Sequence, residues 1–291
     1  MENILEVNNV SKKLGNFKLD GVTFSLPKGY IMGFVGPNGA GKTTTIKLIM
    51  GLMHKDSGLI KVFGEDHIQF EKEIKQRLGF VYDENYFYED LRVEEIKRII
   101  SSFYGRWDEG VFRSYAADFD INPKMKIKQL SKGMKMKFSL ALALSHHAEF
   151  IIMDEPTSGL DPVFRSELIS ILTDMMQDEN RGILFSTHIT TDLEKVADYI
   201  CFINKGKIMF NDTKDEVISS HAVVKGGADM LHGPLKDLLC GVRTNEFGFE
   251  ALTTRAAEVK GLFGDKVLVE KASLDDIILF IVRGKQIAKS N

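Results

Sequence analysis

Gly36-Pro37-Asn38-Gly39-Ala40-Gly41-Lys42-Thr43 is the stretch on which the reading of this 291-residue chain turns. It fits the pattern Gly-x-x-x-x-Gly-Lys-Thr, and its flanks agree with it. Tyr30 to Val35 is an apolar run broken by Gly33, which predicts a central strand. After the loop, Thr44 leads into Ile46, Ile49 and Met50, an apolar face at helical spacing. Glycines let such a loop curl so that several backbone N–H groups face a phosphate, and the following helix adds the positive end of its dipole. In this pattern Lys42 is expected to reach the β- and γ-phosphates and the Thr43 hydroxyl to ligate Mg²⁺. A glycine-rich turn that merely precedes Lys-Thr would not require a strand before it and a helix after it.

A phosphate loop of this kind needs a carboxylate at the end of a neighbouring strand. Phe150 to Met153 followed by Asp154-Glu155 supplies one. Asp154 is expected to hold Mg²⁺ through water, and Glu155 to polarise the water that attacks the γ-phosphate. His188 follows the predicted strand Gly182 to Ser186. A neutral imidazole there can hydrogen-bond a γ-phosphate, although position alone fits a structural histidine equally well. No Cys/His spacing points to zinc, so Mg²⁺ is the only metal inferred.

Working outward, Val22, Phe24 and Leu26 alternate with Thr23 and Ser25 as in a half-buried strand, and Pro27-Lys28-Gly29 reads as a turn. The span from Glu71 to Leu144 reads as mainly helical. Val93, Ile96, Ile99 and Ile100 form one apolar stripe there, and Phe112, Tyr115, Ala116 and Phe119 another. Beyond it the pattern returns to alternating strand and helix. Phe164 to Met176 reads as a helix, Leu193 and Val196 mark a shorter one, and Tyr199 to Ile203 is a strand. Asn204 to Lys207 is a turn into Ile208 to Phe210. The tail carries strand-like runs at Ala222 to Val224 and Val267 to Val269, then a helix capped by Ser273. The expected fold is α/β: a P-loop nucleotide-hydrolase core with an antiparallel β subdomain and a helical subdomain. Residues 1–214 form this domain, with the helical part at about 85–145, and residues 215–291 a small accessory α/β domain.

Composition narrows the function classes. The formal net charge is -3 with no long basic block, so no nucleic-acid partner is expected. No run approaches the ~18 apolar residues of a membrane span. The first fifteen residues carry Glu2, Asn3 and Glu6 where a secretion signal needs a basic start and an apolar run. Cytoplasmic residence is therefore expected. Cys201 and Cys240 are expected to be buried or half-buried reduced thiols.

With these motifs in this order, the chain resembles the ATP-binding subunits of ABC transporters over roughly residues 2 to 215. The resemblance identifies Gly36 to Thr44 as Walker A, Ile151 to Glu155 as the end of Walker B with the catalytic glutamate, and His188 as the switch histidine. Ser158-Gly159-Leu160-Asp161 corresponds to the D-loop. Leu130-Ser131-Lys132-Gly133-Met134 stands where the family has Leu-Ser-Gly-Gly-Gln. In that family two domains stack head to tail around two ATP molecules, and each phosphate loop is completed by the other subunit's signature. The resemblance thus implies ATP and Mg²⁺ as cofactors, with Ser131, Gly133 and Asp161 added to the nucleotide site. Two departures stand out. Where the family's Q-loop glutamine belongs, the chain has Asp83 and Glu84, with Asp83 the better match by offset and the expected Mg²⁺-side group. Leu14 occupies the usual place of the adenine-stacking aromatic, so Phe17 is either its substitute or a core residue.

The tail resembles the accessory domain of single-cassette, ABC-2-type exporter ATPases. The implied function is an ATP-hydrolysing subunit that powers a separate permease, for export, by ATP-driven dimerisation with itself or a similar subunit. It would sit peripherally on the inner face of the membrane. The alternative is a soluble ABC-type ATPase acting on the ribosome or another macromolecule. Those chains resemble two cassettes joined by a charged linker, and this one has a single P-loop. A GTPase is disfavoured because Asn204-Lys205-Gly206-Lys207 lacks the aspartate that pairs with guanine.

Overall fold

The computed structural model describes residues 2–82, 87–231 and 234–283. The chain opens with a long antiparallel pair, β1 (Asn3–Leu14) and β2 (Phe17–Pro27). Val22, Phe24 and Leu26 are buried and Thr23 is exposed, as their alternation predicted. The chain then enters β3 (Ile31–Val35), all five residues buried, and α1 (Lys42–Ile49). It returns to the first sheet with β4 (Ser57–Val62) and β5 (Glu65–Asp66), giving the order β2-β1-β4-β5.

A short α2 (Glu71–Gln76) precedes β6 (Leu78–Tyr82). This strand corrects the expectation of a mainly helical stretch from Glu71 onward. Leu-Gly-Phe-Val-Tyr is too short for periodicity to separate strand from helix. Parallel pairing with the next central strand decides the matter, because it lets Gly79 pack closely on Ala143 and Ala148. The helical part follows as α3 (Val93–Ser101), α4 (Glu109–Asp118) and α5 (Lys132–Ser145). Val93 and Ile96 face its core and Ile100 packs against it, but Ile99 is 44% exposed, so the apolar stripe is narrower than expected.

The central sheet resumes with β7 (Phe150–Asp154), α6 (Pro162–Met175), β8 (Gly182–Thr187), α7 (Thr190–Val196), β9 (Tyr199–Asn204) and β10 (Lys207–Thr213). Its order is β10-β9-β3-β8-β7-β6, parallel except for the β9–β10 hairpin, which turns through left-handed Lys205 and Gly206. β3, β7 and β8 are buried along their whole length, as expected of a sheet covered on both faces. Because the chain order reverses around β3, the carboxyl ends of β3, β8 and β7 adjoin. Ligands bind at that position in open parallel sheets.

The expected boundary at 214/215 falls inside α8 (Lys214–Ser219). The tail then builds β11 (Ala222–Gly226), α9 (Pro234–Leu238), β12 (Cys240–Asn245), β13 (Gly248–Thr253), α10 (Ala256–Phe263), β14 (Leu268–Lys271) and α11 (Leu274–Arg283). Its antiparallel sheet, ordered β12-β13-β11-β14, has two apolar faces. Val224, Phe249 and Ala251 point into a small core with Leu235 and Val259. Their neighbours Val223 and Leu252 point the other way, into a core shared with Leu193, Val196 and α11. The sequence did not anticipate β12, β13 or α10. Cys201 is buried as expected, but Cys240 is exposed. The architecture is thus the expected P-loop core with antiparallel and helical parts and a smaller C-terminal α/β unit.

Candidate functional site

The loop from Gly36 to Gly41 leaves β3 at the point where three strand ends meet. Its conformation explains its glycines. A Cβ on Gly36 would lie 2.3 Å from the Ile203 carbonyl oxygen. Gly41 has φ 118° and would drive a Cβ to 2.6 Å from Leu19. Neither position tolerates a side chain. Ala40 within the loop is buried, and its N–H donates to the Pro37 carbonyl at 3.1 Å. α1 starts from Gly41 with no side-chain cap and no acidic residue in its first turn, so the positive end of its dipole is not neutralised locally.

Lys42 is 6% exposed. Its ammonium donates to the Gly36 carbonyl at 2.7 Å and the Pro37 carbonyl at 3.5 Å, and pairs with Glu155 Oε1 at 3.1 Å. The other Glu155 oxygen is 2.7 Å from His188 Nδ1 and accepts from the His188 N–H at 3.3 Å. One carboxylate thus bridges the cation of the loop and the imidazole after β8. Glu155 holds this place with φ 51°, a left-handed conformation that bulky residues rarely adopt. Behind it, Asp154 is buried and accepts from the Ser186 hydroxyl at 2.6 Å.

A cavity of about 550 Å³ gathers most of the expected residues. Phe17, Pro37, Asn38, Gly39, Gly41, Lys42, Thr43, Thr44, Glu155 and His188 line it, joined by Ser158. Phe17 lines the cavity and is also packed, partly buried, against the core that holds Leu19 and Val22.

Gly36, Ala40 and Asp154 are each next in sequence to a lining residue but do not line it themselves, and three further expected residues stand elsewhere. Ser131 caps α5, accepting from the Met134 N–H at 3.2 Å. Gly133 sits in the first turn, where an added Cβ would lie 3.1 Å from Phe164. Asp161 caps α6, accepting from the Val163 and Phe164 N–H groups at 3.0 Å. None of the three lines the cavity. Met134, the departure from the signature pattern, packs against the apolar core. Asp83, and Glu84 beside it, lie outside the described residues.

The donors fit Mg²⁺. Among the described residues no cluster of three or more His, Cys, Asp or Glu could hold a metal by itself. A Thr43 hydroxyl on the cavity wall and the Asp154 carboxylate are hard oxygen donors. Mg²⁺ characteristically binds through one or two such groups together with substrate phosphates and water. Sequence reasoning missed Ser186. It lies directly across from Asp154 in the β7–β8 register, and register between strands 32 residues apart is not written in either one.

The comparisons with known proteins show the family of the chain. The family model described as ABC transporter matches residues 19–158. The bacitracin transport ATP-binding protein BcrA of Bacillus licheniformis is 32% identical, over 72% of this chain and 69% of its own. A Nod factor export ATP-binding protein I of Burkholderia orbicola (strain AU 1054) is 30% identical over 94% of this chain and 95% of its own. A solved structure described as the ATP binding subunit of an ABC transporter superposes with a TM-score of 0.68 at 28% identity. It covers 74% of this chain and 92% of that one. The chain therefore belongs to the family of ABC transporter ATP-binding subunits.

Proposed function

We propose that this protein hydrolyses ATP to power a separate transmembrane permease, in the direction of export, through ATP-driven pairing of two cassettes. The observation that carries this reading is the Lys42–Glu155–His188 cluster, which shares one cavity with Thr43 and backs onto Asp154. ATP would lie with its phosphates on the 36–43 loop and its base against Phe17. Mg²⁺, held by Thr43 and Asp154, would supply charge neutralisation at the β- and γ-phosphates. Glu155 would orient and deprotonate the attacking water, and His188 would hydrogen-bond the γ-phosphate.

Ser131 caps α5, Gly133 lies in its first turn, and neither lines that cavity, which suits delivery to a second copy or a similar subunit. Among the described residues no helix is long and apolar enough to cross a membrane. A translocation path would therefore belong to a partner, with this chain on the inner face of the membrane. The named relatives concern bacitracin transport and Nod factor export, which supports export as the direction. On this reading residues 1–214 are the cassette and 215–291 an accessory domain.

The test is co-purification from detergent-solubilised membranes followed by reconstitution. A polytopic membrane subunit should co-purify, and it should stimulate MgATP hydrolysis. Recovery on ribosomes without such a subunit would overturn the transporter reading.

A further inference from the structure

The C-terminal unit approaches the phosphate cavity without lining it. Its route is α7, whose first residue, Thr190, lies two positions after His188. α11 packs directly on this helix. The Thr190 hydroxyl, on a buried residue, donates to Asp275 Oδ1 at 3.1 Å. One turn on, Glu194 Oε1 accepts from the Leu274 N–H at 3.1 Å. Between these two bonds runs an apolar seam in which Leu193, Leu274 and Ile277 are each 0% exposed. The same Leu193 also ties α7 to the central sheet. Leu193 packs over Gly33 of β3, so close that a Cβ there would lie 2.7 Å from its Cδ2. α7 is therefore held between the strand that feeds the phosphate loop and α11 of the C-terminal unit.

We propose that the C-terminal unit positions His188. Asp275 and the amide of Leu274, acting through Thr190 and Glu194, fix the helix whose start sets the imidazole beside Glu155. This rests on the reading of His188 as the γ-phosphate-facing group of an ATPase. The physical basis is short range. Ile189 separates His188 from α7, and its N–H is already turned back to the Thr187 hydroxyl at 3.0 Å. A shift of the α7 start is thus transmitted to the imidazole with little slack between them. The contacts to Asp275 and Leu274 touch neither the loop nor Lys42, so they bear on turnover and leave nucleotide affinity alone. In this arrangement anything that moves α11 retunes hydrolysis at a distance.

The experiment uses the full chain with Asp275→Ala, Thr190→Val and Asp275→Asn, the last keeping an acceptor for the Thr190 hydroxyl. The first two should lower kcat by about 3- to 10-fold, the scale of modest misplacement of a catalytic group. KM and equilibrium affinity for MgATP should stay within about 2-fold. Asp275→Asn should recover most of the rate. Independently of turnover, amide hydrogen exchange over residues 187–193 should rise about 10-fold in Asp275→Ala, with residues 36–45 unchanged. Should Asp275→Ala fail to fold, Thr190→Val removes one hydroxyl and carries the same comparison. An unchanged exchange pattern in a folded variant would overturn the proposal. So would faster exchange with kcat unchanged, or equal losses in kcat and affinity. A wild-type chain that binds no ATP would instead count against the ATPase reading, and the exchange arm would still decide whether α11 holds α7.

Discussion

The ends of β3, β7 and β8 and the start of α5 were both expected to meet nucleotide, and they are built in opposite ways. At the strand ends, side chains from three segments converge. Lys42 and His188 each bond Glu155, and all three share a cavity with Thr43. The start of α5 is a packed helix end instead, with Gly133 against Phe164 of α6. The Ser131 hydroxyl serves its own helix, and α6 makes the same use of the Asp161 carboxylate. On the proposed reading the groups assigned to phosphate and metal come from one chain, whereas Ser131 and Lys132 lie exposed at its surface. A site divided this way can be made conditional on a partner, which is what a transport cycle requires.

The sharpest way to break the comparison is at Glu155, where the strand-end cluster is joined. Glu155→Gln keeps the shape but loses the charge shared with Lys42 and His188. Single-turnover hydrolysis should fall by about 10²–10⁴, the range of positioned acid–base catalysis, while MgATP affinity holds or rises. An undiminished rate would move the base elsewhere. Lys42→Ala comes next. It removes a buried ammonium whose charge-assisted bonds are each worth about 1.5–3 kcal/mol, so titration should show MgATP affinity falling about 10²-fold. Equal binding and turnover would remove Lys42 from the site.

Ser131→Asp probes the other region with a smaller effect. Aspartate caps helices as well as serine does, so the melting temperature should hold. A carboxylate facing a partner's γ-phosphate should nevertheless weaken MgATP-driven association by about 10-fold. Unchanged association would show that the α5 start does not meet nucleotide.

The smallest effect concerns the support of β7. Arg77 holds the Glu149 carboxyl below its ordinary range, chiefly by hydrogen bonding. Burial opposes this and Arg106 assists it. Because the folded pKa is lowered, the stabilisation is present above the ordinary glutamate value and is lost as pH falls through the lowered one. Glu149→Gln should therefore cost about 1 kcal/mol at neutral pH. The gap from wild type should close on acidification below about pH 4. A pH-independent gap would assign the loss to packing.

How much of this was legible in the sequence follows the same division. The 36–43 loop and Asp154-Glu155 could be read because their chemistry is local: a glycine pattern, and a carboxylate pair after an apolar run. What depends on distant pairing could not. Ser186 becomes a partner of Asp154 only through the β7–β8 register, and β6 becomes a strand only through its parallel neighbour. In the tail, β12 and β13 join through Glu246-Phe247, with none of the glycine or asparagine pairs that mark tight hairpins, and Phe247 is 93% exposed. The apolar neighbours of Cys240 predict a buried or half-buried thiol, yet the structure exposes it on β12. The roles of Ser131 and Gly133 came from family resemblance, since within one chain their geometry is that of an ordinary helix start.

Whether the two regions meet across two molecules is the central question, and light scattering of the Glu155→Gln protein answers it most directly. With saturating MgATP the mass should shift from one copy to two, or to one copy plus a supplied similar subunit, and should revert with ADP. A protein that stays monomeric with its cavities filled by MgATP, alone and with every similar subunit supplied, would contradict the account.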